Sequence, residues 1–222
     1  MRVRAGTAWL GSATVVVLLL GGALTACSGA PREGASTVRA TDATGTTGTA
    51  VRSGGTIGAR GSVCELPVTF DIAEDWKAEA VEPAAAGDSP TGKEATDALL
   101  RQGPVTAVCE VDAKPAGNIG FLRVFTGSPG AGDASTALRA FVAAEEGVSG
   151  ETYRSFTTGG LEGVEVEYLR TSEFLDESKK ERALAVGTAQ GPVVLHLGGM
   201  DTEEHEQMLP AYELARRTLR GA

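Results

Sequence analysis

Three cysteines and two histidines are the residues of this 222-residue chain best suited to chemistry, and their surroundings assign them different work. Cys27 closes the tetrapeptide Leu24-Thr25-Ala26-Cys27. Before it lie a positive start at Arg2 and Arg4 and an apolar stretch from Trp9 to Ala23, densest from Val15 to Leu20. A charged start, a short apolar run and small residues at the cut are the marks of an export signal. With cysteine directly after Ala26, the segment 1–26 reads as a lipoprotein signal peptide and Cys27 as the lipid-bearing first residue of the mature chain. The alternatives are an ordinary secretory signal cut near Ala26, or an uncleaved N-terminal anchor. A buried acyl methylene contributes roughly 0.8 kcal/mol and stable anchoring takes two chains, which a diacylated cysteine supplies. The two arginines are not adjacent, so general secretion is the expected route and the outer face of the cytoplasmic membrane the expected location.

Cys64 and Cys109 remain as an even pair in an exported chain, where oxidised sulfur persists, and are expected to form a disulfide. The loop they would close contributes about 4 kcal/mol in the chain-entropy model. Two buried free thiols are the alternative. His196 and His205 come with no His-Glu-x-x-His or Cys-x-x-Cys pattern, so neither a metal nor any other cofactor is expected. His196 shares a strand face with Val194 and reads as a core or edge histidine; His205 reads as a surface one. No Gly-x-Ser-x-Gly elbow is present, and no catalytic residue is assigned. An envelope hydrolase using His196 as base is the weaker alternative. Gly159-Gly160 and Gly198-Gly199 carry no phosphate-loop fingerprint and read as turns.

These residues need a frame. Ser28 to Arg60 is rich in Thr, Gly, Ala and Ser and has too little apolar surface to offset chain entropy, so 27–60 reads as a lipidated cysteine and a disordered tether. As a coil it would reach about 30 Å. Residues 61–222 are long enough for a single domain. Within them, Val68–Ile72, Val105–Val111, Gly120–Thr126, Thr152–Thr157, Gly163–Arg170, Glu181–Thr188 and Val193–Leu197 read as strands, the last four as an antiparallel meander. Glu74-Asp75, Lys114 to Asn118, Thr158-Gly159-Gly160 and Gln190-Gly191-Pro192 supply turns. Lys93–Arg101, Ala134–Glu146 and Glu203–Arg220 read as helices. Asp133 caps the second and Gly147 stops it; Pro210 is expected to kink the third or to mark its true start. Glu165 and Glu167 alternate with Val164, Val166 and Tyr168, which predicts a solvated strand face. The fold class is α+β, an antiparallel β-sheet flanked by helices.

The order of elements, with Val68-Thr69-Phe70-Asp71-Ile72 followed by Trp76 and a helix carrying Ala137-Leu138-Arg139-Ala140-Phe141-Val142, resembles the α/β/α sandwich of the PsbP family of photosystem accessory proteins. It is also similar to LpqN-type actinobacterial lipoproteins of that fold. The resemblance covers Leu66 to Leu219 and implies a non-enzymatic binding or assembly module. The formal charge of −9 becomes −11 once Arg2 and Arg4 leave with the signal peptide, which argues against nucleic acid as partner. The expected protein is a monomer, held to the membrane at Cys27, that binds an envelope protein. A small-ligand carrier with a cavity between sheet and helix is the alternative.

Overall fold

The computed structural model describes residues 51–82, 98–172, 174 and 177–222. The signal peptide, Cys27 and the tether up to residue 50 lie outside these residues, as does most of the helix expected over Lys93–Arg101, whose last residue opens a short strand.

Two antiparallel sheets form the frame. The small one has the order β1-β2-β11, with β1 at Ser53–Ile57, β2 at Val68–Ala73 and β11 at Arg220–Gly221. The large one has the order β3-β5-β6-β10-β9-β8-β7 and carries β4 on β5. Its strands are β3 (Lys77–Ala80), β4 (Arg101–Gln102), β5 (Val105–Asp112), β6 (Gly120–Gly127), β7 (Val148–Thr158), β8 (Leu161–Ser172), β9 (Glu177–Thr188) and β10 (Gly191–Gly199). The last four form the expected meander. Gly159 and Gly160 both take left-handed backbone, φ 52° and 78°, in the tight turn between β7 and β8, a geometry that matches the strand twist and that only glycine adopts cheaply. The turn expected at Gln190 to Pro192 is tighter, because Gly191 and Pro192 already pair with Thr188 and Gly187.

Two helices cover the two faces of the large sheet. Helix α1 (Ala134–Ala143) starts at Asp133, whose carboxylate accepts the Thr136 backbone N–H at 2.7 Å. It buries Leu138, Phe141 and Val142 over Val164, Val166, Ala183, Ala185 and Val194. Helix α2 (Thr202–Thr218) lies on the other face with β1 and β2, burying Met208, Tyr212 and Leu214 against Leu184, Leu195, Leu197 and Phe70. With both faces covered, Ala183 to Val186 and Val193 to Leu197 are buried without alternation, as strands in the middle of a sandwich must be.

A β-bulge in β5 decides where Cys109 points. The pairing with β6 shifts between Ala107 and Cys109, so Val105 and Ala107 pack on the α1 side while Cys109 and Val111 pack on the α2 side. One inserted residue thereby reverses the faces of everything after it. Cys109 so meets Cys64 in a disulfide with the two Cα atoms 5.9 Å apart, fastening the irregular segment before β2 to the large sheet.

The structure corrects several expectations. Strand β1 falls inside the stretch whose composition suggests tether: Ile57 is buried, Thr56 donates to the Asp71 carboxylate at 2.6 Å, and an edge strand held by its ladder needs few apolar residues. Helix α2 ends at Thr218, and Arg220 pairs with Thr69 as part of β11 instead. Pro210 lies inside α2 and does not start it. Gly198 and Gly199 are the last two residues of β10 and not a turn. Gly199 faces Gly120 across the ladder; a Cβ on Gly120 would run into Met208, and one on Gly199 would sit 2.9 Å from the His205 nitrogen. The two glycines let α2 settle onto the sheet, and that close approach buries His205, which the sequence places at the surface, to 1% exposure. Glu165 is buried as well, because α2 covers it through Arg216, while Glu167 stays half exposed beside Arg182, so the expected solvated face of β8 holds for one glutamate and fails for the other.

Candidate functional site

Helix α1 stops short of one end of the sheet, and the face it leaves open is polar. Phe141, in its last turn, marks the border, edge-on to Phe125 at 5.0 Å and to the His196 ring at 5.4 Å. Beyond it lies a cleft of about 450 Å³. Its floor is His196, Glu181 and Gly198; Arg170 and Lys179 border it on the β8–β9 side, Arg123, Phe121, Ile119 and Met200 on the β6 side, and Gln102 and Glu145 lie at the C-terminal end of α1.

The floor is a chain of charge-assisted contacts. Nε2 of His196 lies 3.2 Å from Oε2 of Glu181 and 3.3 Å from the Tyr168 hydroxyl. That hydroxyl donates to Oε2 of Glu145 at 3.2 Å, so its proton is committed there and its oxygen is the group that faces the imidazole, while Glu181 Oε2 stands beside the ring without a hydrogen-bond partner. Gln102 donates to the other Glu145 oxygen at 2.8 Å and to the Phe141 carbonyl at 3.2 Å, closing the C-terminal end of α1. Lys179 pairs with Oε1 of Glu181 at 2.8 Å and donates to the Gly199 carbonyl at 2.6 Å.

Burial pushes the Glu181 carboxyl up, but the His196 ring 3.2 Å away, with Lys179 beside it, outweighs burial and holds it below the usual carboxylate range. It is therefore ionised at neutral pH although only 2% exposed. Tyr168 goes the other way: burial first, then the negative charges of Glu145 and Glu181, push its phenol far up. It stays a neutral donor.

On the opposite face a second ionic network joins the meander to α2. Arg182 pairs with Glu167 and with Glu213 at 3.2 Å, and Arg216 with Glu213 at 3.3 Å and Glu165 at 3.7 Å. These groups lie between packed elements and hold α2 in place. A larger depression, about 800 Å³, opens near the N-terminus of α1 between Ser135, Phe156 and Gly187, but its lining holds no basic side chain and no histidine. Among the described residues no group of three or more His, Cys, Asp or Glu side chains is placed to hold a metal ion, and no helix is long and apolar enough to cross a membrane.

Of the residues singled out in the sequence, His196 reaches the cleft together with Gly198 and Gly199. Cys64 and Cys109 are bonded on the far side of the sheet, and His205 is on the far side too. Tyr168, Glu181, Lys179, Glu145 and Arg170 were not legible as a group. Register brings the first two together, for Tyr168 and Glu181 face each other across the β8–β9 ladder. One signal was present: Lys179 and Glu181 fall in phase with Ala183 and Ala185, where the strand pattern calls for apolar side chains.

Comparison with known proteins gives a family and a set of distant folds. Among solved structures, cyanobacterial PsbP (CyanoP) from Synechocystis sp. PCC 6803 is similar with 12% identity and a TM-score of 0.43, over 76% of this chain and 98% of that one. LpqN of Mycobacterium tuberculosis, described as involved in cell envelope biogenesis, has 13% identity and a TM-score of 0.37, over 75% and 90%. A protein of unknown function from Pseudomonas aeruginosa, PA94, has 12% identity and a TM-score of 0.38, over 68% and 88%. No curated protein matches. A family model described as "Uncharacterised lipoprotein" matches residues 34–219, all but the two ends of the chain, and the protein belongs to that lipoprotein family.

Proposed function

We propose that this lipoprotein is a non-catalytic binding module of the cell envelope, anchored through Cys27 at the outer face of the cytoplasmic membrane after general secretion, and that the cleft beyond α1 is its recognition site. One observation carries the reading: the titratable groups of the cleft floor are spent on one another. His196 Nε2 already faces Glu181 and Tyr168, and the lining residues include no serine, threonine or cysteine to act as a nucleophile. What remains presented outward is a rim, with Ile119 47% and Met200 60% exposed, joined by the Met200 N–H donating to the Ile119 carbonyl at 3.0 Å. The chain enters the domain at this same end of the sheet. Ser53 pairs with Ala73, three residues separate Ala73 from β3, and Lys77 pairs with Asp112, just before the turn that leads into Gly120.

A small-ligand carrier is the second reading, favoured by the cleft's volume, which falls in the range of small-molecule sites. A photo-crosslinking amino acid at Met200 of the membrane-bound lipoprotein tests both. An adduct at Met200, absent when the same group replaces Glu162 on the turn side of β8, is the expected result. A protein-sized adduct supports the assembly module and a small mass increment supports the carrier. Equal labelling at both positions, or a hydrolytic activity lost on changing His196, overturns the proposal.

A further inference from the structure

Resting on the assignment of the cleft as the recognition site, its side chains also define what it takes. Its carboxylates are engaged from within: Glu145 by Tyr168 and Gln102, Glu181 through Oε1 by Lys179 with Oε2 3.2 Å from the His196 ring, and the adjacent Glu110 by Nε of Arg123 at 2.6 Å. The guanidinium groups are less so. Arg123 commits one of its five N–H donors to that bond, and its guanidinium carbon lies 5.0 Å from the centre of the Phe121 ring. Arg170 reaches Glu145 only at 3.8 Å, beyond hydrogen-bond length, and its side chain is 45% exposed. An incoming ligand is therefore offered guanidinium donors, which match the paired oxygens of a carboxylate or phosphate.

The two arginines stand on opposite sides of the cleft. Arg123 is on β6 and Arg170 on β8, with β10 and β9 between them, so about 14 Å of sheet separates their Cα positions. The apolar groups cluster on the β6 side, where Phe121, Ile119 and Met200 form one wall. Between the two sides the floor is lowered by Gly198, which shares the face of His196. A Cβ there would meet only Glu181 Oε2 and His196 Cε1, both at 3.6 Å, so the space above it is open and a side chain would fill it without disturbing the backbone.

From this arrangement we infer that the cleft binds an anionic amphiphile, its acidic oxygens held by Arg170 and its alkyl part lying across Gly198 against Phe121, Ile119 and Met200. Arg123 and Arg170 together disfavour a cationic head group.

The test is calorimetric titration of the full mature chain, residues 27–222 with Cys27→Ser to keep it in solution, using octyl phosphate, inorganic phosphate and octyltrimethylammonium. Saturable one-site binding of octyl phosphate is expected, roughly tenfold or more tighter than inorganic phosphate, with no binding of the cation. Gly198→Val and Arg170→Gln should each weaken octyl phosphate by roughly tenfold or more while melting temperatures hold. Equal affinity for inorganic phosphate, binding of the cation, the absence of saturation, or undiminished binding to a folded Gly198→Val protein would each overturn the inference. If crosslinking at Met200 captures a partner while octyl phosphate fails to bind, the ligand class falls and the binding module stands.

Discussion

His205 shows how one side chain ties stability to pH. Burial holds its imidazole down at about 4, against an ordinary value of 6.5, with Arg182 and His196 adding to the effect and Glu181 and Glu167 opposing it. Its Nδ1 is buried without a hydrogen-bond partner. The folded protein thus keeps His205 neutral while the unfolded chain protonates it, so its contribution is complete above pH 6.5 and is lost as pH falls toward 4. Between pH 7 and pH 4.5 the loss should be about 2 kcal/mol. Glu181 and Glu167, held below their ordinary value of 4.5, start to lose their contribution as pH falls through that value, so most of the change between the two pH values belongs to the histidine. Urea midpoints at the two pH values should therefore converge in His205→Leu; an unchanged gap would mean that His205 does not titrate in this way. On the other face, Glu181→Gln leaves Lys179 and His196 without their shared carboxylate. Removing one member of a buried charge cluster should cost about 3 kcal/mol in chemical denaturation.

The elements differ in how plainly the sequence announces them. Helix α1 is legible because its signals are local, with Asp133 before it and Leu138, Phe141 and Val142 at helical spacing, although it ends at Ala143 rather than at the expected Glu146 and Gly147 turns the chain into β7 instead. The same local logic caps α2, where the Asp201 carboxylate accepts the Glu204 backbone N–H at 2.9 Å. Asp201→Ala should cost about 1 kcal/mol, a fall of roughly 2 to 4 °C in melting temperature; no change would show that the cap is redundant. Whatever depends on the neighbouring element stays hidden. Val105, Ala107, Cys109 and Val111 read as one face of a strand, and the bulge that sends the last two to the other face leaves no mark in residue type. Glu165 and Glu167 alternate just as a solvated stripe would, and α2, more than forty residues later, supplies Arg216 to cover the first of them. The cleft was illegible for the same reason. Its residues come from β4, β6, β8, β9, β10 and the segment after α1, and topology alone brings them to one end of one face.

In the whole molecule the sheet separates two kinds of task. The α1 face ends in the cleft proposed for recognition, and the α2 face carries the ionic network and the disulfide, so the bridge can be removed without touching a residue of the cleft. Cys64 and Cys109 are 45 residues apart, and the bridge ties the segment before β2, buried through Leu66 and Val68, to the middle of β5. A loop of that length lowers the entropy of the unfolded chain by an amount equivalent to about 4 kcal/mol. Because Cys109 is fully buried, replacing both cysteines by alanine avoids placing new hydroxyls in the core. The double variant Cys64→Ala/Cys109→Ala should melt about 10 °C lower than the oxidised parent. Reductant should lower the parent toward the variant and leave the variant where it is. Across the sheet, the cleft keeps Arg170, His196 and Gly198 on strands that the bridge does not touch, so ligand binding measured below both melting transitions should be the same in variant and parent. A loss of binding in a variant still folded at the assay temperature would show that the two faces are coupled through β5 and β6, and that the bridge helps to shape the cleft as well as to hold the fold.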